Sequence, residues 1–257
     1  YWTFIFMTCL VVGTFGFFGV HSVFWFVRSL FLYMRDPALF RETKVRAAKD
    51  DEEFVRFRPF DRFLHFLVIV SFLILVATGM PLKFYEDRWA QWMVHWMGGV
   101  EVTSGLHRIG AVITFLYFAL HLGSLFKATI RRRNEFRNPK TGRYSLRQLL
   151  RVAFSADMPL PSLADVRDWW AHTKWFLGRG PRPQFDRWTY WEKFDYFAVF
   201  WGVAIIGASG LILWFPIAFT RVLPGWIINV AVIIHSDEAL LAAGFIFTFH
   251  FFNVHFR

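Results

Sequence analysis

Residues 63–82 read FLHFLVIVSFLILVATGMPL: twenty positions, no charged side chain and one histidine. At 1.5 Å per residue, twenty helical residues cover about 30 Å, the hydrocarbon thickness of a bilayer. A backbone in lipid must satisfy its own N–H and C=O groups, so such a run crosses as a helix. Pro81 and Lys83 mark its end. Four more stretches meet the same test: roughly 3–30, 104–126, 196–220 and 226–256. The last is long and predicts tilt or overhang. The fold class read from this pattern is an all-α membrane protein, a five-span transmembrane helix bundle.

The totals agree. Of 257 residues 56% are hydrophobic, with 34 Phe and 13 Trp, yet the formal net charge is +10. Apolar and basic runs must therefore alternate. Lys and Arg number nine in 28–62, two in 83–104, fifteen in 127–193 and one in 216–235. By the positive-inside rule the N-terminus lies outside, the C-terminus inside, and loops 35–62 and 127–193 face the cytoplasm. Within the long loop, RRRNEFRNPKTGR reads as a solvated basic stretch near anionic headgroups, and SLADVRDWWAHTKWFLG as an interfacial amphipathic helix capped by Ser162. The expected division is an extra first span over 1–34, a loop over 35–62 and a four-helix core over 63–257, with no internal repeat. The first residue is Tyr, and no basic segment precedes the uncharged residues 1–27, so these read as a mature span in a portion of a longer chain.

One cysteine, Cys9, excludes an internal disulfide, an all-cysteine iron–sulfur site and a C-x-x-C-H haem attachment within this sequence. Any redox cofactor must be held by histidine. His95 and His172 fall in connections and read as interfacial or solvated. His21, His65, His107, His121, His235, His250 and His255 fall in or near spans, where an ionisable residue points to function. His107 and His121 are 14 residues apart, His235 and His250 are 15 apart, and both spans run inward. Those spacings are about 21–22 Å along a helix and return each pair to broadly one face. Two levels of imidazole in one bilayer suit two stacked bis-histidine b-type haems; zinc would want four ligands at one depth. The outer pair is His107 with His235. The inner pair is His65 or His121 with His250. If His65 takes His250, then His121 with His21 or His255 makes a third haem, or His121 meets a quinone or a propionate. Gly79, Gly110, Gly202, Gly207, Gly210 and Gly244 lie in spans and leave flat space for a porphyrin, or serve helix packing.

Quinone chemistry moves two electrons and two protons. His121, Glu192 and Asp195 are the candidates at the inner end, with Asp186 behind them; Lys193 and Arg187 offer Glu192 and Asp195 an ordinary solvated pairing. At the outer level Arg108 suits a haem propionate or Asp237, and Glu238 shares a face with His235 and suggests a second quinol site.

FDRFLHFLVIVSFLILVATGMPL with His65, GLHRIGAVITF with His107, and IIHSDEALLAAGFIFTFH with His235 and His250 resemble the dihaem cytochrome b subunits of membrane-bound formate dehydrogenases, nickel–iron hydrogenases and thiosulfate reductases. The resemblance covers roughly 56–257. It implies that His65 and His250 hold a cytoplasmic-side haem, that His107 and His235 hold a periplasmic-side haem, and that a quinone (a menaquinone, for example) reacts near the inner one. The extra first span, His121 and the longer inner loop depart from that pattern. GPRPQFDRWTYWEKFDYFAVFWG and HSDEALLAAGFIFTFHFFN are similar to the branch associated with periplasmic multihaem cytochromes c. The expected function is electron transfer across a bacterial inner membrane, between the quinone pool and such a cytochrome or another redox subunit of a complex, with no nucleic acid involved. The alternatives are a non-redox anchor or proton-relay transporter, and a transmembrane ferric or ascorbate-type reductase.

Overall fold

The computed structural model describes residues 1–37, 58–139, 141–155, 158–185 and 187–252. Most of the 35–62 loop, Asp186 and His255 lie outside the described residues. The helices are α1 Trp2–Arg35, α2 Pro59–Lys83, α3 Arg88–Trp96, α4 Val100–Arg131, α5 Leu146–Ala153, α6 Leu163–Phe176, α7 Tyr190–Trp214, α8 Pro216–Thr220 and α9 Ile227–Phe245. A π turn over Ile246–His250 continues α9. The only β pairing among the described residues is a single bridge between Arg137 and Tyr144.

α1, α2, α4, α7 and α9 with its π turn are long and apolar enough to cross a membrane, with mean hydropathies between 1.7 and 2.4. The protein is a multi-pass all-α membrane bundle. Its outward side chains are apolar: Phe24, Leu73, Ile109 and Val232 are all exposed in the isolated chain and meet lipid in a bilayer. Pro81 does not stop α2 directly. It sits in the last turn, and the helix runs two residues further to Lys83. The end rich in Lys and Arg, where α2 and α7 begin, is called the basic end below.

The expectation of no internal repeat is wrong. Shifting the chain by 131 residues lays 60–84 on 191–215 with eight of 25 positions identical: Phe63, Phe66, Val68, Ile74, Ala77, Gly79, Leu82 and Phe84. Asp61 falls on Glu192, Arg62 on Lys193 and Thr78 on Ser209. The structure repeats with the sequence. α2 and α7 are each 25 residues long, and in each the carboxylate three residues on accepts from the N-cap backbone N–H, Asp61 from Arg58 and Glu192 from Thr189. Thr78 Oγ1 donates to the Ile74 carbonyl and Ser209 Oγ to that of Ile205, both at 2.7 Å. A shift of 128 lays α4 on α9, His107 falling on His235. The π turn absorbs the one extra residue before His250, so His250 becomes the counterpart of His121. Both hairpins run in the same sense, so this is a parallel repeat about an axis along the membrane normal. Single-letter similarity between lipid-facing helices is weak; shared caps and hydroxyl bonds make the repeat visible.

Within the bundle α2 packs on α4 and α7 on α9, and the two hairpins meet along α2/α9 and α4/α7. α1 lies outside, against α9 and α6. Phe18 is its buried contact, with its ring 4.8 Å from both Phe194 and Phe245. The helix expected from Ser162 onward is α6, where Ser162 and Asp165 form the cap. Asp165 also takes a 2.8 Å ion pair from Lys193 on α7, with the Lys193 residue 3% exposed. This pair fixes α6 to the mouth of the bundle.

Candidate functional site

The level far from the basic end is built by symmetry-related parts. His107 from α4 and His235 from α9 face each other, ring centroids 6.1 Å apart and planes at 75°. His107 Nδ1 lies 2.9 Å from Thr78 Oγ1. Since that hydroxyl proton already goes to the Ile74 carbonyl, the imidazole Nδ1–H is the donor. His235 Nδ1 donates to the Ile206 carbonyl at 2.9 Å, with Ser209 Oγ at 3.4 Å. Anchoring Nδ1 leaves Nε2 of each ring as the lone-pair nitrogen, the usual arrangement of a metal-bound histidine. Two imidazoles bound from opposite sides at about 2 Å bring their centroids about 6 Å apart. The pair therefore fits one iron between them.

The level near the basic end holds the other four counterparts. The repeat lays His65 on Tyr196 and His121 on His250. His121 Nε2 meets Tyr196 Oη at 3.1 Å across the α4/α7 seam. By the repeat, the positions corresponding to that contact are His65 on α2 and His250 at the end of α9. His250 Nδ1 meets Asp195 Oδ2 at 3.1 Å, so this ring too is anchored through Nδ1. His121 and His21 do not share a site: His121 packs on Tyr196 and Phe200, while His21 faces Tyr190, His172 and Phe176. The pairing of His121 with His21 in a third haem is thus corrected, and its pairing with His255 falls outside the described residues.

The six glycines separate into three kinds. A Cβ on Gly79 would lie 3.0 Å from His107 Cε1, and one on Gly210 2.9 Å from His235 Cε1. These two, again 131 apart, make room for the histidine rings. Gly110 presses on Ile74 and Leu75, Gly207 on Phe115, and Gly244 on Phe15, so they serve helix packing. Gly202 meets nothing within 4 Å.

The charged candidates are placed differently from the sequence expectation. Asp237 pairs with Lys83 at 2.7 Å, not with Arg108. Arg108 instead lies 5.5 Å over the Trp214 ring at the edge of the bundle. Lys193 is buried on Asp165, so it is not a solvated partner of Glu192 or Asp195. Glu192 closes the α7 capping box. Glu238 is buried between α9 and α7, bonded by Trp201, and its Oε2 has no partner among the described residues.

His172, expected to be an interfacial or solvated histidine in a connection, lies in α6 and is 2% exposed. Its Nδ1 lies 3.0 Å from Tyr190 Oη, and His21 Nε2 bonds the same oxygen. Nothing local in the sequence signals this cluster, because its three members come from α1, α6 and α7. Thr78, Ser209 and Tyr196 were also missed, but the offset of 131 would have found them.

Among the described residues no three His, Cys, Asp or Glu side chains gather as a metal cage. What the bundle offers is the paired imidazoles of His107 and His235. Compared with protein-family models, curated proteins and solved structures, the chain finds no match.

Proposed function

We propose that this chain is a membrane cytochrome b that carries electrons between the quinone pool and a redox partner on the far side of the membrane. The observation that carries the reading is the His107–His235 pair, ring centroids 6.1 Å apart with both Nδ1 atoms anchored. His107 and His235 would hold one haem b and His65 and His250 another. Each haem iron supplies reversible one-electron chemistry when bound. Thr78 and the Ile206 carbonyl hold the rings of the first pair, and Asp195 holds that of His250. Gly79 and Gly210 admit the rings, and the apolar spans keep water from them. Arg108 stands at the bundle edge as a cation for a propionate.

The basic end is assigned to the cytoplasm, by the count of Lys and Arg in the two loops there. The N-terminus is then periplasmic, in a bacterial inner membrane, and the partner is a periplasmic multihaem cytochrome c or another redox subunit. Quinone reacts at the cytoplasmic end, where His121, Tyr196, Asp195 and the Tyr190 cluster lie.

A pyridine haemochrome assay on purified protein, with haem counted per chain, tests the reading. Two b-type haems are expected, falling to one in His107→Ala and in His250→Ala. A chain purified without haem, which also fails to take up added haemin, would return the proton-relay reading to first place.

A further inference from the structure

His21, Tyr190 and His172 form a part-buried hydrogen-bonded row that the haem pairs do not use. Tyr190 Oη sits between the two imidazoles. A phenol has one proton, so it donates to one ring and accepts from the other. If a proton enters at one end and another leaves at the opposite end, all three groups reverse, and they must turn back before a second proton follows in the same direction. The row starts at α6, on the basic end of the bundle, and ends at His21, inside a membrane span. An aromatic wall surrounds it: Phe176 lies 5.1 Å from the His21 ring, Trp191 6.5 Å, and Phe185 5.4 Å from that of His172.

A groove open to lipid leads to the same place. Gly13, Thr14, Phe17, Phe18 and Phe194 line it along α1 and α7. His21 lies three residues beyond Phe18, and Tyr190 four before Phe194, so each is about one helical turn past the groove's inner end. A ligand filling both needs a long apolar tail, a flat ring and polar atoms on that ring. Asp195, bonded to His250, stands one turn along α7 from Trp191.

We infer that α1, α6 and α7 form a binding site for a prenylated quinone, its ring at His21 and Tyr190 and its tail in the α1/α7 groove, with His172 as the buried proton partner behind Tyr190. The inference rests on the electron-transfer reading for its redox partner. Reducing one quinone consumes two electrons and two protons and makes two O–H bonds; oxidising the quinol returns them. The electrons are those of the haem pairs, passed singly, and the protons move along the row. α1 is thus a working wall of the site rather than an added anchor.

Binding of a hydroxyquinoline N-oxide quinone analogue, followed by quenching of its fluorescence, tests the site without need of turnover. Tyr190→Phe keeps the ring and removes the hydroxyl, and it should weaken binding about tenfold, the value of one or two hydrogen bonds. His21→Asn should do the same. Tyr117→Phe, a buried tyrosine elsewhere in α4, should not change it. A photoactivated azidoquinone should label residues 2–35. Loss of binding in His121→Asn, with Tyr190→Phe unaffected and label in 100–131, would overturn the inference and place the ring at His121 and Tyr196. Haem content, read from the reduced-minus-oxidised spectrum of the same samples, reports separately on the electron-transfer reading. Unchanged unfolding midpoints in the variants exclude a packing defect as the cause.

Discussion

Gly210→Ala adds one methyl group beside His235. Its Cβ would lie 2.9 Å from Cε1 and 3.2 Å from Nδ1, where ordinary contact begins at 3.4 Å. Gly210 is in the interior of α7, so its backbone cannot yield cheaply, and the ring must shift by about half an ångström. That overpacking costs about 1–3 kcal/mol. The shift also strains the 2.9 Å bond from Nδ1 to the Ile206 carbonyl, worth about 0.5–1.5 kcal/mol. Together they amount to about 1.5 kcal/mol at the low end, or roughly tenfold in haem affinity at this level. Gly202→Ala is the matched control, since nothing lies within 4 Å of its added methyl. Both changes gain the same helix propensity, about 1 kcal/mol, so the difference isolates the contact. The assay is haem per chain during dilution in detergent, with the spectrum of the remaining haem. Gly210→Ala should fall from two haems towards one, while Gly202→Ala keeps two. If both variants keep two haems with unchanged spectra, His235 is not the ligand and the outer pairing is refuted.

Four other outcomes are expected. Lys193→Met strands the Asp165 carboxylate in a buried position and should cost about 3–5 kcal/mol in unfolding, with Lys193→Met/Asp165→Leu recovering more than half. Thr78→Val removes the partner of His107 Nδ1 and should weaken the outer haem about 10–100-fold, whereas Ser209→Ala, whose histidine keeps its carbonyl bond, should change it less. His121→Asn should retain two haems by pyridine haemochrome; loss of one would make His121 a ligand. In a Cys9→Ser background, an impermeant thiol reagent should label Glu86→Cys in intact spheroplasts and Arg143→Cys only after permeabilisation; the reverse pattern would invert the assigned orientation.

Hydropathy and charge placement determined the five spans, the alternation of basic and poor loops, and the capped interfacial helix at 162–178. These are properties of local composition: twenty apolar residues have one solution in lipid whatever their neighbours are. The facing of His107 and His235 was legible too, because both are at the same depth on helices running the same way. What the tertiary structure decided is which face of each helix meets which neighbour. Only packing separates Gly79 and Gly210, set against imidazole rings, from Gly110, Gly207 and Gly244, set against Ile74, Phe115 and Phe15. Only the π turn shows that a spacing of 15 in α9 is equivalent to 14 in α4, and with it the repeat that turns His65 into the counterpart of Tyr196. His172 reads as a loop histidine because 151 residues separate it from His21 along the chain. Burial depends on how α1, α6 and α7 close around a tyrosine, and no local pattern of residues records that.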